Sequence, residues 1–204
     1  MDDRGVAGVF NQCFSQLYNT VMLGGLDEPF YAPARNASPA ELYYREDFAA
    51  SALHEAAHWC IAGLARRQQS DFGYAYIAPP RCAGAQARFF ASEIKAQALE
   101  SIFARAAGVD FVLSTDELES EPETHGACAR AWVVLRDEFA CGVDNCRWQL
   151  LQRLGTGHHK RAAQFACALA NVGAGADHLR QLARGVERIE GTIRSDPLDG
   201  CSFS

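Results

Sequence analysis

The chain has 204 residues, of which 49% are hydrophobic and 22% charged, with a formal net charge of −6. That length and composition suit one soluble globular domain with a full core, with room for a small extension. The negative balance and lack of a sustained basic run argue against a broad nucleic-acid footprint, although Arg66-Arg67 could form a local patch. No apolar stretch reaches the ~18 residues needed to span a bilayer. The opening Met1-Asp2-Asp3-Arg4 leads into a mixed segment rather than a secretory apolar run, so a cytoplasmic protein is expected.

In chain order, Val6, Val9, Phe10, Cys13, Phe14 and Leu17 recur at helical spacing and predict an amphipathic helix over 6–18. Val21-Met22-Leu23 and Phe30-Tyr31-Ala32, punctuated by Gly24-Gly25 and Asp27-Glu28-Pro29, predict a hairpin. Residues 33–39 read as loop, and 48–66 as a helix ending in Arg66-Arg67, where cations suit the helix dipole. Asp71 to Ile77 alternates aromatic with small residues and predicts a short strand. After a loop over 82–92, residues 93–108 form a second strong helix stopped by Gly108. Residues 116–123 read as a solvated acidic loop. Helices are expected over 124–140, 145–154, 158–171 and 177–190, with a frayed tail after Ser195. This divides the chain into a domain over 1–172 and a C-terminal helix and tail over 173–204.

The eight cysteines do not read as a disulfide framework in a chain of this size without an export signal. Cys13, Cys60 and Cys167 lie in helical apolar patterns as buried thiols, while Cys141 and Cys146 bracket an expected turn and lack the second pair that structural zinc needs.

The stretch with chemical content is His54-Glu55-Ala56-Ala57-His58 within an Ala- and Leu-rich helix. Residues four apart share a helical face, so both imidazoles can reach one metal ion. Glu55 sits about 100° round from His54, near enough to touch a metal-bound water without being a ligand. Sites of this type add a third protein ligand and leave positions open. The second helix supplies candidates: Glu93, Gln97 and Glu100 fall on one face at i, i+4 and i+7. Glu93 and Glu100 are about 10 Å apart along the axis, so both cannot bind one ion. Glu93 is favoured, because Ala96 beside it permits close helix approach. The spacing also resembles the Glu-x-x-Ala that carries the third ligand in several compact proteins with this motif. Glu100 is the alternative ligand, or a hydrogen-bond partner of a ligand imidazole. His125, His158, His159 and His178 read as solvent-facing.

The block from Ala50 to Gly63, with Ala65-Arg66-Arg67, Asp71-Phe72-Gly73-Tyr74 and Gln97-Ala98-Leu99-Glu100, resembles the bacterial elongation factor P hydroxylase family. Asp27-Glu28-Pro29, Ala106-Ala107-Gly108, Phe111, Ser114, Asp116 and Leu118 support it, and the resemblance runs over roughly residues 8–118. It implies a hydroxylase that adds one oxygen atom to the β-lysylated lysine of translation elongation factor P, with dioxygen as co-substrate. It also implies a non-haem metal, expected to be Fe(II), held by two histidines and a glutamate. Carried onto this chain, these are His54, His58 and Glu93.

The ligand set alone does not choose the reaction, since two histidines and a carboxylate serve zinc hydrolysis as well as Fe(II) and dioxygen. A zinc metallopeptidase with Glu55 as general base is the alternative. The expected fold is α+β: a helix-dominated single domain with a small sheet and a metal-site helix of zincin-like arrangement. The sequence assigns no substrate-binding residues.

Overall fold

The computed structural model describes residues 1–45, 48–73, 83–114, 127–154 and 159–173, with the backbone alone for 83–88 and 127–136. Helix α1 spans Asp3–Tyr18. The Asp2 carboxylate caps it by accepting from the Gly5 amide at 2.9 Å, and Asn19 ends it in the left-handed region at φ 47°. Val6, Val9, Phe10 and Phe14 line its buried face at the expected spacing.

Strands β1 (Thr20–Leu26), β2 (Phe30–Ala32) and β3 (Ala40–Arg45) form a sheet in the order β1-β3-β2. β1 runs parallel to β3, and β2 antiparallel to it. The expected hairpin is therefore absent: β3, not foreseen as a strand, lies between its two halves. Its alternation is plain, with Ala40, Leu42 and Tyr44 buried. Gly24-Gly25 marks an irregularity in β1, not a turn. The register shifts between Leu23 and Leu26, Gly25 adopts φ +93°, and a Cβ on Gly24 would lie 2.5 Å from the Tyr44 hydroxyl. Tyr44 in turn donates to the buried Asp3 carboxylate at 2.8 Å, tying β3 to α1. Asn11 secures β1 from the helix side. Its amide donates to Met22 O at 3.1 Å, and its oxygen accepts from Met22 N at 2.6 Å.

Helix α2 spans Ala49–Ile61, shorter than the expected 48–66. Two cations satisfy its last carbonyls. Arg67 donates to Ala62 O at 2.8 Å, and Arg161 donates to Ala62 O at 2.7 Å and to Cys60 O at 3.0 Å. Both guanidiniums lie over the Trp59 ring, at 5.4 and 4.9 Å from its centroid. Two short 3₁₀ turns follow, Arg66–Gln68 and Ser70–Gly73. At the start of the expected strand, Asp71 (φ 47°), Phe72 (φ 56°) and Gly73 (φ 72°) are all left-handed, and three such residues in a row do not make a strand. Residues 74–77 of that expectation lie outside the described residues. The turn is held against β2, where Tyr31 N donates to Asp71 Oδ1 at 2.9 Å and the Tyr31 and Phe72 rings stack at 4.3 Å.

Helix α3 spans Ala83–Ala107 and absorbs the loop expected over 82–92. Alanine, glutamine and arginine dominate its first turns, and these are strong helix formers. Glu93 thus stands about three turns into a helix rather than at its start. From Ala96 to Ala107 nearly every residue is buried, because α2, α4 and α5 all pack on this helix. Gly108 ends it at φ 67°.

Helix α4 (Ala127–Leu154) is continuous where two helices and a turn are expected. Gly142, read from sequence as part of that turn, is a packing residue: a Cβ there would meet Ile94 Cδ1 at 2.9 Å, so glycine lets α4 approach α3 closely. Cys141 and Cys146 therefore lie on one helix, the first exposed and the second half-buried. Helix α5 (Lys160–Val172) buries Ala162, Phe165, Ala166, Leu169 and Ala170. Cys167 is on its outer face and exposed, correcting the buried-thiol reading; Cys13 is half-buried and Cys60 buried. Phe10, Phe14, Trp59, Phe103 and Phe165 interlock across α1, α2, α3 and α5, with ring centroids 4.6–5.9 Å apart.

Among the described residues the architecture is α+β, with five α-helices and a three-stranded sheet on which α1 and α2 pack. The acidic loop, the 177–190 helix and the tail lie outside the described residues. No described helix is long and apolar enough to cross a membrane.

Candidate metal centre

α2 and α3 pack side by side, and each turns its chemically active stripe toward the other. On α2, the four-residue spacing sets the His54 and His58 rings edge to face on one side of the helix, with centroids 4.7 Å apart. His54 Nε2 and His58 Nε2 come within 3.0 Å of each other. The Glu93 carboxylate reaches across from α3, its oxygens 3.5 Å from His54 Nε2 and 3.3 Å from His58 Nε2. Among the described residues, these three form the group able to hold a metal ion, with one ligand atom from each lying within 4.8 Å of the others.

The spacing can be tested against an ion. Ligand atoms about 2.1 Å from a metal stand about 3.0 Å apart at right angles and about 3.4 Å apart at tetrahedral angles. The separations of 3.0 and 3.3 Å fall in that range and the 3.5 Å one lies just above it, with a different Glu93 oxygen nearest each ring, so a small adjustment would seat three donors on one side of an ion. The side chains retain 24% exposure at His54, 16% at His58 and 14% at Glu93. The cluster is therefore partly exposed.

Glu100 occupies the other end of His54. Its carboxylate accepts from His54 Nδ1 at 2.8 Å. That contact leaves Nε2 facing the cluster. Glu100 itself is 8% exposed and is not among the three clustered ligand atoms.

Charge and burial compete at these groups. Burial alone would lower the His54 pKa, but the Glu100 hydrogen bond and the charges of Glu93, Glu100 and Glu55 outweigh it and push it up to about 10. Burial would raise Glu93, yet the contact with His58, the charges of His58 and His54, and the Gln97 amide bring it down to about 2. Glu93 is thus an ionised donor at neutral pH. Glu55, beside His54 on α2, lies outside the triangle. Its pKa is raised, first by burial and further by Glu93 and Asp71, against the opposing charges of His58 and His54.

Of the other histidines, His159 is half-buried at the start of α5, while His125, His158 and His178 lie outside the described residues. Arg67, part of the local basic patch read from sequence, is engaged in capping α2. Sequence reasoning placed Gln97 on the α3 stripe but assigned it nothing; it is 3% exposed and bonds the backbone of Ser114 through both halves of its amide. Arg161 carried no local signal for its place at the end of α2, 99 residues earlier.

A family model described as Elongation factor P hydroxylase matches residues 9–177 of the chain. That span contains α2, α3 and all three clustered residues. The chain is also similar to the Elongation factor P lysine hydroxylase of Haemophilus influenzae, with 45% identity over 118 residues. The alignment covers 57% of this chain and 66% of that relative, just under two thirds of its length. With a helical His-Glu-x-x-His facing a glutamate from a second helix, and a family match over most of its length, the chain belongs to the Elongation factor P hydroxylase family.

Proposed function

We propose that this protein is a metal-dependent hydroxylase that adds one oxygen atom to the β-lysylated lysine of elongation factor P. The observation that carries the reading is the triangle of His54 Nε2, His58 Nε2 and the Glu93 carboxylate in a chain of this family. The family membership favours hydroxylation over the zinc metallopeptidase alternative, which rests on the motif alone.

His54, His58 and Glu93 would hold the ion, and Fe(II) is the expected one, since two histidines and one carboxylate with open positions suit iron and dioxygen. Bound there, iron would supply the redox chemistry that activates dioxygen. The remaining work falls to the chain. Glu100 holds His54 by its Nδ1–H and keeps Nε2 turned inward. Glu55 would hold or transfer a proton at its carboxyl beside the cluster, where burial favours the protonated form. The site of action would be the cytoplasm, where translation factors work.

The test is mass spectrometry of β-lysylated elongation factor P incubated in air with the Fe(II)-loaded protein and a reductant. A gain of one oxygen atom at the modified lysine is expected, and none with His54→Ala or without oxygen. Cleavage of the factor instead would favour the peptidase. Glu55→Gln should retain metal in either case.

A further inference from the structure

The three-stranded sheet turns one face toward the helices and the other toward solvent. Met22, Leu42 and Tyr44 point inward and are buried, with α1 and α2 packed on that side. The alternate residues of β3, Glu41, Tyr43 and Arg45, therefore point outward. Leu23 of β1 and Phe30 of β2 both pair with Tyr43, so these three side chains form one rung across the outer face. Leu26 pairs with Arg45 on the same face. Leu23, Leu26 and Phe30 are 37, 39 and 40% exposed, which leaves this apolar cluster open to solvent. A cluster of this kind with charge at its rim marks an interaction surface.

The edges of the sheet are blunted. On β1 the Asn11 side chain takes both backbone groups of Met22, and on β2 the Asp71 carboxylate takes the Tyr31 amide. Side chains thus occupy backbone groups that an added strand would need, and the face is the surface that remains.

The charges on this face specify its occupant. Glu41 and Arg45 lie two residues to either side of Tyr43, about 7 Å each way along the central strand. The Tyr43 hydroxyl donates to Glu41 Oε2 at 2.9 Å and holds that carboxylate over the face. A two-fold axis running along the rung would stack a second copy with its strands antiparallel, the sheets about 10 Å apart. Glu41 then meets Arg45 of the partner subunit, and Arg45 meets Glu41 of the partner subunit. An axis running along the strands would instead set acid against acid and base against base, which repels. The order acid, aromatic, base is thus complementary to itself in one orientation.

We propose that the outer face of the sheet is a self-association surface, on which two copies of this chain stack antiparallel through the Leu23–Tyr43–Phe30 rung. Three strands about 4.8 Å apart and roughly 20 Å long present about 300 Å². Stable interfaces bury about 800 Å² per partner, so this pair is weak and dissociates on dilution.

The test is sedimentation equilibrium of the whole chain over a concentration series. With a dissociation constant of about 10⁻⁴ M, the mean mass should rise from 22.2 kDa toward twice that value between about 10 µM and about 1 mM. Glu41→Arg and Arg45→Glu each set like charges face to face at two symmetry-related places, and each alone should weaken association at least about tenfold. An equimolar mixture of the two variants restores an opposite pair at both places and should associate about as strongly as the wild type. A surface that is merely sticky would not give that restoration. If either charge variant fails to fold, Tyr43→Ser removes the centre of the rung and should abolish the rise in mass. A wild-type chain that stays monomeric at about 1 mM would overturn the proposal and leave the face to a different protein. A dimer indifferent to these variants, or one weakened by them and not restored in the mixture, would overturn it too.

Discussion

His54 Nδ1 and Glu100 Oε2 are 2.8 Å apart, and this one contact decides which nitrogen of His54 faces Glu93. A carboxylate accepts only, so Nδ1 must carry the hydrogen and Nε2 is the atom presented to the cluster. The distinction between Glu93 and Glu100, left open by their shared stripe, becomes a difference of position: one carboxylate meets both Nε2 atoms, and the other braces the back of a ring.

The first prediction separates those two roles. Glu93→Gln should lower metal content severely, as should His54→Ala and His58→Ala, each with the helical circular dichroism of the wild type. Glu100→Gln should bind metal about ten- to a hundredfold more weakly without abolishing binding. Metal titration of the four variants decides the matter. If Glu100→Gln is the one that strips the ion, the assignment is reversed.

A second prediction concerns protons. In the metal-free protein His54 holds its second proton up to about pH 10. An ion at Nε2 must displace that proton, so binding at neutral pH releases it and affinity rises with pH. The slope should be roughly tenfold per pH unit between pH 6 and 8. Glu93, already ionised above about pH 2, adds no slope in that range. Calorimetry in buffers of different ionisation enthalpy measures the released proton directly. A pH-independent affinity would rule out displacement at His54.

The end of the motif helix yields a third. Arg161 bonds two carbonyls of α2 and stacks on a fully buried tryptophan. Arg161→Met should cost about 2 kcal/mol, since it removes charged hydrogen bonds and a cation–π contact. The midpoint of urea unfolding reports it. Arg161→Lys should restore only part of the loss, because an ammonium cannot reach both carbonyls in one plane.

Asn11 supports a fourth. Its side chain answers both backbone groups of Met22, as Gln97 answers Ser114. Asn11→Ala leaves the amide and carbonyl of a 1%-exposed residue without partners and should destabilise the fold by about 1–3 kcal/mol. Amide exchange at Met22 should accelerate more than at its neighbours in β1. Equal acceleration along the strand would mean that the effect is not local.

What the sequence revealed follows the range of the interactions involved. The pairing of His54 with His58, and the stripe of Glu93, Gln97 and Glu100, are matters of helical period and could be read within a few residues. The hairpin misreading arose because strand pairing is a long-range choice: Thr20 pairs with Ala40 across the intervening β2. The start of α3 was missed because no cap residue marks Ala83, and alanine-rich segments carry little amphipathic pattern. The turn placed at Gly142 came from reading glycine as a breaker, when the close approach of Ile94 is what requires it. Arg161 was out of reach because its partners lie about a hundred residues away.

The strand order β1-β3-β2 has a consequence for how the molecule is assembled. Both outer strands are synthesised before the central one, and neither has a sheet partner until residues 40–45 arrive. β2 and β3 then pair as a local antiparallel hairpin across 33–39, with the Arg35–Ser38 bridge inside its loop. Closure between Thr20 and Ala40 is the longer-range step, at the entropic cost of a long loop. The metal-site helix follows directly after β3 and packs against it. The cradle for the ion is therefore built on the last strand to be synthesised. A nascent chain carrying the complete motif but not yet α3 would hold both histidines without Glu93, and ion capture would be among the final events of folding.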